Sequence, residues 1–263
     1  MAPTTEPDAE LAGTTGEWLQ DRALRAAIWT ARRLPYARRV PLFGALARGA
    51  TGALTTFRQR MLDNLDYVWP DRPQAEREAI ARAAADNAGR AMIEHYSMPE
   101  LAARMAQVTP RGPGWERLLA ARDSGRPAVL ITGHYGNYEA ARACLIAQGI
   151  SLGGLYRPME NPYFNRHYVE SVAALGDGPL FPQGRAGMGQ MLRHLKGGGA
   201  VMILNDLYVG SGVEMEFLGK PAMTALSAAD FALRFEAPLI PVSYTHLRAH
   251  ETNPCISYAV FCL

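Results

Sequence analysis

The chain has 263 residues, of which 48% are hydrophobic and 20% charged, a balance that supports a sizeable core and excludes a disordered or collagen-like polypeptide. Its formal net charge of +2 gives nucleic-acid binding no support from the total, although basic residues crowd the N-terminal quarter. The cysteines Cys144, Cys255 and Cys262 are too few and too scattered for a disulfide framework or a metal cluster.

Met1 to Gly16 is small, polar and acidic, without the basic start and apolar core of a secretory signal, so residues 1–17 read as a flexible N-terminus of a cytoplasmic chain. From Trp18 to Phe57 arginines interrupt every apolar run before it reaches the roughly 18–20 residues a membrane span needs. Trp18, Leu24, Ile28 and Trp29 alternate instead with Arg22, Arg25, Arg32 and Arg33. That pattern fits a surface helix packed on the body, or an amphipathic segment lying among lipid headgroups, and the tryptophans beside an arginine-rich face favour the second.

Glu76 to Tyr96 is free of proline and rich in helix formers, which predicts a long helix entered after Asp71-Arg72-Pro73. Thr109 to Gly114 reads as a loop and closes a helical, membrane-proximal region over 18–114. Beyond it the character changes to βαβ alternation. Apolar runs at AVLIT (128–132), SLGGLY (151–156), Gly178 to Phe181, AVMIL (200–204) and Pro238 to Val242 read as strands. Helical patterns fall between them at Tyr138 to Ala147, Tyr163 to Ala174, Ala186 to Leu195 and Thr224 to Phe235. The expected fold is α/β, a mainly parallel or mixed sheet flanked by helices over 115–241, preceded by a helical N-terminal region.

The segment Ile131 to Glu139 leaves a buried strand, turns through glycines around His134 and opens a helix, at the sheet edge where α/β proteins place their sites. Asn137 is a good N-cap, which sets Glu139 in the first helical turn, where the dipole favours a carboxylate. A His134–Glu139 hydrogen bond would give what an alcohol nucleophile requires, an imidazole base held in one tautomer by a carboxylate. The spacing alone does not select a site, because it recurs at His95 with Glu100 and at His246 with Glu251. His95 reads as a helix-end residue, and only His134 has strand, glycine loop and helix around it in order; taken by itself it is either a base or a loop histidine tied to its neighbours. Arg157, at the end of a strand, and Arg185, in FPQGR just before a helix, are candidates to meet a phosphate or an oxyanion. Gly184, Gly187 and Gly189 have the wrong spacing for a dinucleotide fingerprint, and no G-x-S-x-G elbow supports a serine hydrolase.

GHYGNYE at Gly133 to Glu139, followed by LYRPMENP at Leu155 to Pro162, resembles the bacterial lipid A late acyltransferases, the lauroyl and myristoyl acyltransferase family. The likeness extends to RQRMLDNLDYVWPD at Arg58 to Asp71, to Arg185 with its helix and Gly-rich stop, to Leu204-Asn205-Asp206 and to FLGKPAMT at Phe217 to Thr224. It covers the chain from Arg22 to Val242. The resemblance implies acyl transfer from acyl carrier protein to a lipid A precursor at the cytoplasmic face of the bacterial inner membrane, with no metal or other cofactor. It maps the family's catalytic histidine and acidic residue onto His134 and Glu139, and its substrate-binding arginine and aspartate onto Arg157 and Asp206. Members commonly carry glutamine after that aspartate, where this chain has Leu207. Acylation of another membrane lipid, such as a phosphoglyceride, ornithine lipid or glycolipid, and a non-catalytic membrane-binding module are the competing readings. From Val242 the text VSYTHLRAHET resembles a translated sequencing-library adapter, so residues 242–263 are expected to be a non-native tail.

Overall fold

The structure, a computed structural model, describes residues 13–50, 55–134, 136–176 and 178–243. The expected tail beyond Ser243 and most of the expected N-terminal stretch lie outside the described residues. The chain opens with α1 (Thr15–Ala31), α2 (Tyr36–Ala50) and α3 (Thr55–Val68), then α4 (Gln74–His95), α5 (Met98–Met105) and α6 (Pro113–Asp123). It then alternates through β1 (Ala128–Thr132), α7 (Tyr138–Ala147), β2 (Leu152–Tyr156), α8 (Pro162–Ala173), β3 (Leu180–Pro182), α9 (Arg185–Lys196) and β4 (Ala200–Leu204). A hairpin of β5 (Val213–Phe217) and β6 (Lys220–Thr224) precedes α10 (Ser227–Arg234) and β7 (Leu239–Pro241).

β1 and β4 are the apolar runs of the sequence, and they become neighbours in a five-stranded, all-parallel sheet of order β3-β2-β4-β1-β7. Such a sheet must be covered on both faces. Successive side chains of β1 serve opposite layers. Ala128 and Leu130 join a core with Met98, Leu101, Leu118, Cys144 and Leu145 from α5 to α7, whereas Val129 packs with Met191, Leu195 and Ala232 from α9 and α10. The antiparallel hairpin is separate from this sheet. The helix expected from Thr224 begins only at Ser227, because Thr224 is committed to pairing with Val213. α6 likewise begins inside the expected loop, since Pro113, which has no amide to satisfy, fits the first helical turn.

The helical N-terminal third is tied to the α/β body by named contacts. Thr14 and Glu17 form a capping box at the start of α1. Asn161, which caps α8, donates from Nδ2 to the Glu17 carbonyl at 2.8 Å. α2 lies so close to α4 that a Cβ on Gly89 would collide with the Phe43 carbonyl oxygen and come within 2.6 Å of the Ala47 Cβ. Among the described residues no helix is long and apolar enough to cross a membrane. Sheet pairing runs one step past β7, where the Val242 amide donates to the Ile131 carbonyl at 2.8 Å and the Val242 side chain is buried. The first residue of the expected foreign tail therefore serves the core.

Candidate active site

Parallel pairing puts the carboxyl ends of all the sheet strands at one edge, the usual location of a ligand crevice in an open α/β sheet. Arg185 follows β3, Arg157 follows β2, Asp206 follows β4 and His134 follows β1. The residues singled out from the sequence thus line this edge in strand order. The ladder continues past the strands, with the Asn205 amide donating to the Thr132 carbonyl at 2.9 Å, and this carries Asp206 alongside the His134 loop.

One Asp206 carboxylate accepts from His134 twice, from the backbone amide at 2.6 Å through Oδ2 and from Nδ1 at 2.9 Å through Oδ1. An ionised carboxylate only accepts, so Nδ1 carries a proton, and in the neutral imidazole Nε2 is then the nitrogen with the lone pair. Gripping backbone and ring together fixes both the loop and the imidazole tautomer. Partial burial works against ionisation of Asp206, but the hydrogen bonds from the His134 side chain and amide, with the attraction of the imidazole, outweigh it and hold the carboxyl below its usual range. Gly133 is needed for this approach, because a Cβ there would lie 2.9 Å from Asp206 Oδ2. Gly136 takes φ +65°, a left-handed conformation that turns the loop back into α7.

Asn137 caps α7, its Oδ1 accepting from the Ala140 amide at 3.2 Å. Its Nδ2 donates to Glu94 Oε2 at 2.7 Å, and Tyr36 donates its hydroxyl to the other Glu94 oxygen. The end of α4 is thus bonded to the start of the helix that follows the His134 loop. His95, the last residue of α4, donates from Nδ1 to the Ala91 carbonyl at 2.6 Å, which leaves Nε2 to accept from the Tyr138 hydroxyl at 3.1 Å. The Tyr138 ring also meets His134 edge-on, with centroids 5.6 Å apart. Burial raises the Tyr138 phenol, and burial with the Glu139 charge pushes Tyr168 up to about 12, so both stay protonated.

Glu139 stands in the first turn of α7, as expected, and is buried. Its hydrogen-bond partner is Arg142, at 3.2 Å, an arginine only 1% exposed. Arg142 in turn donates to the Leu152 and Gly178 carbonyls at 3.3 and 2.5 Å, fastening α7 to β2 and to the approach to β3. His134 is therefore brought to Asp206, and Glu139 to Arg142. Arg157 and Arg185 are exposed. Neither makes a hydrogen bond or ion pair among the described residues, so both guanidinium groups are available to an anionic ligand at this edge. Among the described residues no group of three His, Cys, Asp or Glu side chains converges as metal ligands would.

A family model described as bacterial lipid A biosynthesis acyltransferase matches residues 11–253. The chain belongs to this family. As a lipid A biosynthesis acyltransferase family member it is similar to lipid A biosynthesis acyltransferase 1 of Shigella flexneri, 28% identical over 153 residues, 57% of this chain and 45% of that one. It is similar to the same extent, 28% over 153 residues, to the lipid A biosynthesis myristoyltransferase of Escherichia coli (strain K12), again 57% of this chain and 45% of the relative. The aligned stretch spans less than half the length of either curated relative. Inference from the residues alone missed Arg142 and Glu94. Each stands in an alanine-rich helix where a charged side chain ordinarily marks the solvent face, and nothing local signals burial.

Proposed function

We propose that this lipid A biosynthesis acyltransferase family member moves a fatty acyl group from an acyl carrier protein thioester onto a hydroxyl of a lipid A precursor, with His134 as general base. The observation that supports this most is the double grip of Asp206 on His134, which presents Nε2 as a proton acceptor at the sheet edge. In the first step Nε2 takes the acceptor's hydroxyl proton as its oxygen attacks the thioester carbonyl. The tetrahedral adduct then expels the carrier thiolate, and the imidazolium returns its proton to that sulfur. Asp206 stabilises the imidazolium without itself taking the proton. A base placed in this way contributes about 10² to 10⁴ in rate.

The family likeness assigns the orienting carboxylate to Glu139. In this geometry Asp206 is the residue on Nδ1, and we assign Glu139, through Arg142, to holding α7 and hence the His134 loop on the sheet. Arg157 and Arg185 are the groups to receive phosphate or phosphopantetheine oxygens, or the developing oxyanion. α1 exposes Trp18, Leu24 and Trp29, with Arg22 and Arg33 stacked on the tryptophan rings, and we assign this face to the cytoplasmic surface of the inner membrane. Expression in a bacterial host lacking its own late acyltransferase, followed by mass spectrometry of lipid A, tests the proposal. A gain of one acyl chain that depends on His134 is the expected result. Unchanged lipid A with a new acyl chain on another lipid would move the same chemistry to a different acceptor, and no acylated product at all would refute acyl transfer.

A further inference from the structure

α1 packs along α8 and leaves a cleft of about 380 Å³ between them. It is lined by Arg25 and Trp29 of α1, by Arg32 and Arg33 just beyond that helix, by Glu100 of α5 and by His167 of α8. None of these residues belongs to the His134–Asp206 pair. Positions 25, 29 and 32 follow helical spacing, so a single face of α1 delivers the arginines together with the aromatic wall.

The charges around the cleft do not balance. Arg22 and Arg25 share the buried carboxylate of Asp21, at 3.2 and 2.9 Å. Arg39 and Arg32 share Glu100, at 2.9 and 3.7 Å. Arg33 has no carboxylate partner among the described residues and lies 4.0 Å over the Trp29 ring. The remaining acidic group acting on His167 is Glu170, on α8 itself and exposed. Guanidinium groups therefore outnumber carboxylates, and they border an open volume.

His167 supplies a second and independent sign. Its ring is stacked on Tyr96, with centroids 5.4 Å apart, and its Nε2 is buried without a hydrogen-bond partner. Burial first, then the charges of Arg25 and Arg32, keep this imidazole towards its neutral form, so it has a proton to donate from one nitrogen and no protein acceptor at Nε2. An oxyanion in the cleft would offset the surplus guanidinium charge next to His167, with the Glu100 carboxylate, whose Oε2 is also buried without a hydrogen-bond partner, as the opposing charge.

We propose that this cleft binds a phosphate group, with Arg25, Arg32 and Arg33 as charged donors and His167 Nε2–H as a further donor. Several planar donors converging from different directions suit a phosphate better than a single carboxylate. Ile28 and Trp29, which also line the cleft, would meet the apolar part of a lipid that carries the phosphate. The inference stands apart from the acyl-transfer reading, since it needs neither His134 nor a thioester.

The test uses the full chain with ¹⁵N-labelled histidine, following the His167 ring resonances during titration with inorganic pyrophosphate at constant ionic strength. Saturable shifts are expected, with affinity at least fivefold weaker in the Arg32→Gln/Arg33→Gln variant and unchanged in Arg38→Gln, an exposed arginine outside the cleft. Flotation with phosphatidic acid and phosphatidylcholine vesicles, with and without pyrophosphate, then separates the sources. Competition by pyrophosphate specifically for phosphatidic acid vesicles identifies a lipid phosphate, and a saturable shift without competition identifies a soluble one. The wild-type titration is decisive whether or not the double variant folds: no saturable shift at His167 overturns the proposal, as does an equal loss in Arg38→Gln.

Discussion

His134 and Asp206 are 72 residues apart in the chain, yet one carboxylate accepts from both the backbone amide and the Nδ1 of the histidine. The contact exists because β1 and β4, separated in the chain by three crossover connections, lie side by side with Thr132 opposite Leu204. A single side chain thereby fixes loop position, ring orientation and tautomer, the settings a histidine base needs.

Asp206→Asn is expected to lower kcat by about 10² to 10⁴ with little change in KM for either substrate. The amide can donate to Nδ1 and so favour the tautomer that protonates Nε2. Steady-state rates of acyl transfer, with thermal melting as a control for folding, check this. Wild-type kcat in Asp206→Asn would remove Asp206 from the mechanism.

The same carboxylate gives a pH dependence of stability whose sign is fixed. Asp206 has its pKa lowered below 3.8 in the folded protein, so its contribution is present above that value and fades as pH falls through the lowered one. The pair is partly exposed, so the effect is less than about 1 kcal/mol. Urea unfolding of wild type and Asp206→Asn should show a difference at neutral pH that shrinks in acid. A difference that stayed constant into acid would contradict the lowered pKa.

Glu139→Ala should destabilise by about 3–5 kcal/mol, because it leaves Arg142 charged and buried without its counter-ion. His134→Ala should cost far less, since the His134 side chain is 44% exposed. Chemical denaturation of the two variants separates the roles. If Glu139→Ala kept full stability while losing turnover, Glu139 would belong with the catalytic groups directly.

Gly89→Ala tests the N-terminal packing. The new methyl would meet the Phe43 carbonyl and the Ala47 side chain across the α2–α4 contact, and overpacking of this kind costs about 1–3 kcal/mol. Helix propensity alone predicts the opposite sign, since alanine is the better helix former. A higher melting temperature in Gly89→Ala would show that the two helices are not in close contact.

The parallel sheet was legible because its central strands are unbroken apolar runs: AVLIT and AVMIL became β1 and β4 without adjustment. The β5–β6 hairpin passed unrecognised as strands. Val213, Met215 and Phe217 do alternate with Glu214 and Glu216, but both strands are short, the first is largely exposed, neither contains a buried residue, and Pro221 interrupts the second. In the site, His134 was legible from the order of strand, glycine loop and helix, and Asn137 from its N-cap position. The partner on Nδ1 was not, since spacing along a loop says nothing about which distant strand end lies beside it. Glu139 satisfied every local rule for an orienting carboxylate, but the structure pairs it with Arg142, three residues on along α7, whose burial has no local signature.

The central claim is that His134 acts as the base for acyl transfer, and it is tested most directly by turnover of purified wild type and His134→Ala with acyl carrier protein thioester and a lipid A precursor. A fall of about 10² to 10⁴ in kcat is expected for His134→Ala, with a melting temperature close to that of wild type. Retention of more than about a tenth of wild-type turnover in a folded His134→Ala protein would contradict it.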